Sequence, residues 1–254
     1  MDRKYDVDGG QMKYSLLLAL LLSGCAWMKP DPSGFVSKKI ETEHLLTFSV
    51  WEKEGIEKGK PLRIYLEGDG NPNPKDKIAL YYAEQDPSKN VIYLARPCQW
   101  SEDKICKKKP EIYKEQRFHP EIMREIEEVV LYLKSKYKAP EVELIGYDGG
   151  ATVALNLASQ MNVKRVITIA GILDTNAYVR YNDLPEMPDA QNPADKLNVL
   201  AEIEQIHYVG SQDEITPRRA AERFVAKMQN PKSASVRSVN GVGHSDWKGV
   251  KLDY

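Results

Sequence analysis

A chain of 254 residues carrying 36 Lys and Arg against 37 Asp and Glu has a formal net charge of −1, which excludes the basic footprint of a nucleic-acid binder. Removing an export leader leaves roughly 230 residues, the size of one α/β domain. No internal repeat or low-complexity tract is present, and no residue cluster implies a metal or organic cofactor.

The N-terminal segment reads as lying outside the fold. Residues 16–22 are LLLALLL, preceded by Lys13 and followed by Ser23, Gly24 and Cys25. The run is too short to span a bilayer, which takes about 20 apolar residues, and it fits the apolar stretch of a secretory leader. The ending Leu22-Ser23-Gly24-Cys25 resembles the lipobox of bacterial lipoproteins, in which the Cys thiol is lipidated before cleavage. Residues 1–25 are therefore read as a lipoprotein signal segment, with the mature chain beginning at lipidated Cys25. A plain leader with an incidental Cys is the alternative. Residues 1–11 are too charged for a leader start, and Met12-Lys13 is the natural one. Ala26 after the Cys resembles outer-membrane lipoproteins, so the expected location is the outer membrane facing the periplasm, with acyl chains such as palmitate as the membrane contact.

Residues 26–40, with Pro30, Pro32, Ser33 and Gly34, read as a tether, and 41–254 as the folded domain. Short β-rich runs bounded by turn residues then recur: strands at 62–66, 91–94, 142–145, 166–169, 206–209 and 235–239. Helical periodicity separates several of them, over about 120–136, from 151 to 158, and over about 218–228. Alternation of this kind predicts a mostly parallel sheet with helices on both faces and functional groups at the carboxyl ends of its strands. Cys98 and Cys106 lie close together in one loop of an exported chain, which suggests a disulfide; buried free thiols are the alternative. The Lys107-Lys108-Lys109 run reads as a solvated face.

The sharpest local feature is Gly146-Tyr147-Asp148-Gly149-Gly150 between a strand and a helix. It matches the nucleophile-elbow pattern, small residues two positions either side of a reactive side chain, with Asp148 where Ser usually stands. Such a side chain is thrust up at a helix N-terminus, where amides favour negative charge. Downstream come Asp213, after the strand at 206–209, and Gly243-His244, after the strand at 235–239. Nucleophile, acid, base is the order of the α/β-hydrolases, with Asp213 orienting His244 as general base. Gly68-Asp69-Gly70 follows the first clear strand, where an oxyanion-hole amide belongs, with the Gly149 amide as second donor; a plain turn is the alternative. His44 and His207 read as strand residues and His119 as a helix start.

These segments, together with Leu94-Ala95-Arg96-Pro97-Cys98-Gln99-Trp100, Arg117-Phe118 and Asn192-Pro193-Ala194-Asp195, resemble bacterial α/β-hydrolase-fold lipoproteins over nearly the whole mature chain. The resemblance implies an α/β-hydrolase fold with a short cap at 172–197 and a small-molecule substrate. Members usually carry Gly-Tyr-Ser-Gly-Gly at the elbow, so Asp148 is a departure with three readings. It is a carboxylate nucleophile of the epoxide-hydrolase kind, with Tyr178 and Tyr181 of the cap as acids; or it inactivates the site and leaves an envelope binding protein; or it is a change within a lineage that otherwise keeps Ser. Against the first reading, Gly149 occupies the place of the Trp that typically follows such a nucleophile.

Overall fold

The computed structural model describes residues 29–43, 46–69, 72–101, 103–229 and 234–253. The segment read as a leader, with Cys25, and also Ala26, His44 and Gly70, lie outside the described residues.

Eight strands form one sheet: β1 (Phe35–Glu41), β2 (Thr47–Lys53), β3 (Leu62–Leu66), β4 (Val91–Leu94), β5 (Val142–Tyr147), β6 (Arg165–Ile169), β7 (Glu204–Gly210) and β8 (Ala234–Val239). Their spatial order is β1-β2-β4-β3-β5-β6-β7-β8. β1–β2 and β2–β4 pair antiparallel, and every other neighbour pairs parallel. The six strands expected from β-rich runs are β3 to β8, which form the parallel part. Strands β3, β4 and β5 are buried almost end to end because helices cover both faces, which is why their sequences run apolar rather than alternating.

Two strands and the tether boundary differ from the sequence reading. Residues 35–40 belong to β1 rather than to a tether, pairing with β2 from Phe35↔Lys53 to Glu41↔Thr47. β1 is an edge strand, exposed along most of its length and carrying Lys38 and Lys39, so it shows no apolar run to find. Cys106 lies in a short helix, α2 (Lys104–Lys108), rather than in a loop, and the basic run at 107–109 closes that helix.

Of the remaining helices, α1 (Ile78–Gln85) joins β3 to β4, α3 (Pro120–Lys136) precedes β5, and α4 (Gly149–Gln160) follows it. The cap segment holds α5 (Thr175–Tyr181), and α6 (Leu197–Leu200) leads into β7. Helix α7 (Arg218–Ala226) joins β7 to β8 and ends two residues earlier than periodicity suggested. His119 caps α3, its ring accepting from the Glu121 amide, with Pro120 next in line, Glu121 in the first turn and Lys134 and Lys136 in the last. The core is split by the sheet. One face packs Ile126, Val130, Leu133, Val153, Leu157 and Phe224 from α3, α4 and α7; the other packs Ile78, Tyr82 and Trp247 from α1 and the C-terminal segment. The consequence for function is positional. The loops after β3, β5, β7 and β8, which carry Asp69, Asp148, Asp213 and His244, all leave the sheet at the carboxyl ends of parallel strands.

Candidate active site

Asp148 has φ 50° and ψ −118°, a left-handed conformation that costs energy for a residue with a Cβ. The surroundings hold it there: its amide donates to the Ile169 carbonyl at 3.0 Å, and its carbonyl accepts from Ala151 and Ile172, both at 3.1 Å. The flanking glycines are steric requirements. A Cβ on Gly146 would meet the Gly150 carbonyl oxygen at 2.3 Å, and one on Gly150 would meet the Leu66 carbonyl oxygen at 2.3 Å. Strand, turn and helix thus converge too closely for any side chain, as the elbow pattern requires.

The three residues singled out for catalysis come together. His244 Nε2 faces Asp148 Oδ1 at 3.4 Å, and His244 Nδ1 meets Asp213 Oδ2 at 3.0 Å. Asp213 is fixed in turn: its Oδ1 accepts from the Ile215 and Thr216 amides at 2.9 and 2.8 Å, and its Oδ2 accepts from the Thr216 hydroxyl at 2.7 Å. The other carboxylate oxygen of Asp148 lies in the expected oxyanion position. Asp148 Oδ2 accepts from the Asp69 amide at 2.9 Å, and the Gly149 amide also stabilises the carboxylate. Two of the three residues assigned to the oxyanion hole therefore serve Asp148 itself.

Electrostatics follow from this packing. Burial disfavours charge on Asp148 and Asp213, but the imidazole hydrogen bond and its charge, with the amides, hold both carboxyls below the ordinary range. For His244, burial pulls downward, yet hydrogen bonds to and charges on Asp148 and Asp213 push the pKa up to about 10. At neutral pH the group is carboxylate–imidazolium–carboxylate, so His244 is no general base while Asp148 is ionised.

The loop bearing Asp69 is held from three sides, by residues to which sequence reasoning gave no role. Arg96 Nη1 and Arg117 Nε bind the two oxygens of the Asp69 carboxylate at 2.9 and 2.5 Å, while both guanidinium groups stack 5.1 Å from the Phe118 ring. Gln99 Nε2 donates to the Gly68 carbonyl at 2.9 Å. Glu67, fully buried and with its pKa raised by burial, accepts from the Gly68 amide, from Ala79 and Leu80 at the start of α1, and from the Tyr93 hydroxyl. It thereby supplies the cap that α1 lacks from its own N-terminal residue. Cys98 and Cys106 form a disulfide, Cα atoms 5.5 Å apart, that ties the Arg96–Gln99 turn to α2. Arg96 and Arg117 stood in the motifs quoted above; only their meeting at Asp69 reveals what they do. The Asp69 side chain also explains Gly149, whose Cβ would lie 2.0 Å from Asp69 Oδ1.

The two cap tyrosines separate. Tyr178 is half-buried; burial, then the charges of Asp148 and Asp69, push its phenol up to about 12. Tyr181 is exposed, with the Arg219 guanidinium 4.8 Å over its ring. Two further histidines lie elsewhere: His207 is buried in β7, bonded to Thr168, and burial drives its pKa down to about 3, while His119 caps α3.

The fold is that of the α/β-hydrolases. An esterase from Pyrococcus furiosus superposes with a TM-score of 0.63 at 14% identity, covering 85% of this chain and 84% of its own. Est1E from Butyrivibrio proteoclasticus gives 0.60 at 15% identity, covering 83% and 90%. An α/β serine hydrolase homologue from Coxiella burnetii gives 0.57 at 15% identity, covering 87% and 93%. No protein-family model and no curated protein sequence matches the chain.

Proposed function

We propose that this protein is a lipid-anchored hydrolase of small epoxide-like or ester-like substrates, with Asp148 as nucleophile, His244 as the residue that activates water and Asp213 as its orienter. The observation that carries this reading is the division of labour within one carboxylate: Asp148 Oδ2 is held by the Asp69 amide while Oδ1 faces His244. That is the arrangement a carboxylate nucleophile needs. Oδ1 bonds to an sp3 carbon as the carbon–oxygen bond of an epoxide breaks, and the departing oxygen takes a proton from Tyr178, whose raised pKa keeps it a neutral phenol. Esterified Asp148 has no charge, so His244 keeps only Asp213 as an anionic neighbour, its pKa falls, and its proton passes to solvent. The imidazole then takes a proton from water attacking Asp148 Cγ. The tetrahedral oxyanion forms on Oδ2, against the Asp69 and Gly149 amides, and collapse expels the product alkoxide, which takes the proton back from His244. The carboxyl proton left on Asp148 passes to His244 and Tyr178 recovers from solvent the proton it gave, so epoxide and water give a diol and all three groups return to their starting states. The epoxide arm is favoured over the ester arm because a carboxylate attacking an ester would form an anhydride while expelling a poor leaving group.

The test is to trap the intermediate. His244→Gln protein incubated with a panel of terminal epoxides should gain the mass of one epoxide on the peptide containing Asp148, because the ester forms but water is not activated. Absence of adduct and of turnover across the panel would sink the carboxylate-nucleophile reading.

Anchoring rests on the lipobox-like end of the leader, which leaves residues 26–34 between Cys25 and β1. Protein expressed in a Gram-negative host should yield an N-terminal peptide that starts at Cys25, carries acyl chains by mass spectrometry and fractionates with the outer membrane. An unmodified Cys25 would refute it.

A further inference from the structure

Beside the candidate triad, α5, α7 and the loops before them enclose a cavity of about 330 Å³. Asp148, Asp213 and His244 do not line it, but Ile172 and Thr216 of its lining bond directly to them. The amide of Ile172 donates to the Asp148 carbonyl at 3.1 Å, and the Thr216 hydroxyl touches both Asp213 and His244. Buried Leu173 and Phe224 and the half-buried Tyr178 give the cavity an apolar lining. Its polar lining is one-sided: Arg180, Arg219, Arg223 and Lys227 against Asp174 as the one carboxylate. Lys227 and Asp174 pair with each other at 3.3 Å. Among the described residues, no carboxylate lies within ion-pair distance of Arg180, Arg219 or Arg223; Arg219 instead lies over the Tyr181 ring.

Three guanidinium groups gathered around one hollow repel one another, and an anion placed among them removes that repulsion. The reaction centre gives a reason for such an arrangement. Two carboxylates face each other across His244, so an anionic molecule approaching Asp148 meets net negative charge unless cations stand nearby. The cavity volume lies at the small end of the range for small-molecule sites, roughly 300–1,000 Å³.

We propose that this cavity binds the anionic end, carboxylate or phosphate, of a small substrate whose apolar body leads to Asp148. The inference rests on the hydrolase reading above and names its substrate class. Recognition is by charge-assisted hydrogen bonds from Arg219, Arg223 and Arg180, with the apolar body against Leu173 and Phe224.

Calorimetric titration of the purified protein with 4-phenylbutyrate, hexyl phosphate and the neutral 4-phenylbutanamide tests this without requiring turnover. At least one of the acids should bind about tenfold or more tightly than the amide, as expected for charge-assisted hydrogen bonds. Which acid binds better distinguishes carboxylate from phosphate. The advantage should shrink to within about twofold in the Arg219→Gln/Arg223→Gln protein, both positions lying on an exposed helix face where the loss of charge leaves the core untouched. Arg180→Gln serves as an independent variant, and an unchanged thermal transition shows that each protein is folded. Equal binding of acids and amide, no measurable binding of either acid, or an acid preference that survives the substitutions overturns the proposal. The two readings fail separately. Styrene oxide trapped on Asp148 with no acid preference removes the anion site alone, and acid binding without any trapped epoxide removes the hydrolase alone.

Discussion

Asp148→Asn is expected to bring the His244 pKa down from about 10 toward its ordinary value of 6.5 and to abolish turnover. The cause is the competition within the site. Burial lowers the imidazole pKa, and the two carboxylates raise it; with Asn at 148 only Asp213 opposes burial. Loss of the nucleophile should reduce turnover by about 10⁴-fold or more, the scale seen when a covalent catalyst is removed. An NMR titration of the His244 ring reads the first effect directly, and a ring titrating near 6.5 in the unsubstituted protein would contradict the ion triad.

The same substitution has a signature in stability against pH. His244 binds its proton more tightly in the folded state, so its contribution is fully present below pH 6.5 and is lost as pH rises toward 10. Asp148 and Asp213 are shifted the other way, so theirs is present above the ordinary carboxyl value of 3.8 and is lost as pH falls. Thermal stability should therefore decline on the alkaline side as His244 deprotonates. In the Asn variant that decline should be smaller, starting at the same pH but ending at a lower one.

The second large effect is a gain. Asp148→Ser should create hydrolysis of p-nitrophenyl esters at about 10²-fold or more above the unsubstituted protein, the worth of a single oxyanion donor being of that order. Serine removes the oxygen that now occupies the Asp69 amide, so that donor and the Gly149 amide become free to hold a substrate oxyanion. It also removes the charge that keeps His244 protonated, leaving an imidazole oriented by Asp213 and able to act as base. The backbone needs no change, since the elbow already holds a residue with a Cβ at φ 50°. A burst of p-nitrophenol followed by steady turnover is the expected trace. One specific observation favours a second reading, that of an inactive binding protein: as it stands, the carboxylate and the imidazolium satisfy each other and the oxyanion amide. Failure of the serine variant to hydrolyse esters, with no epoxide trapped by His244→Gln, would leave that reading in possession.

Much of this was visible in the chain itself, because the features concerned are governed by short-range rules. Strands β3 to β7 are apolar where helices cover both faces, and that leaves runs any local reading finds. The elbow is legible because its glycines answer to backbone oxygens a few residues away or on the adjoining strand, such as the Gly150 carbonyl oxygen for Gly146. The order of Asp148, Asp213 and His244 follows from loops leaving successive strands. Other features were decided only by tertiary structure. β1 is stabilised by pairing with β2 rather than by burial, so its exposed lysines masked it and its residues passed for a tether. The Arg96–Asp69–Arg117 clamp joins positions 27 and 48 residues apart, beyond the reach of any periodicity. The charge state of His244 depends on two carboxylates brought in from β5 and β7, and the basic cavity on α5 and α7 meeting beside them. Residue identities determined which groups the site holds; their distances in the folded sheet determined the protonation, electrostatics and access of those groups, because Coulomb energy and desolvation depend on separation and burial and are indifferent to spacing along the chain.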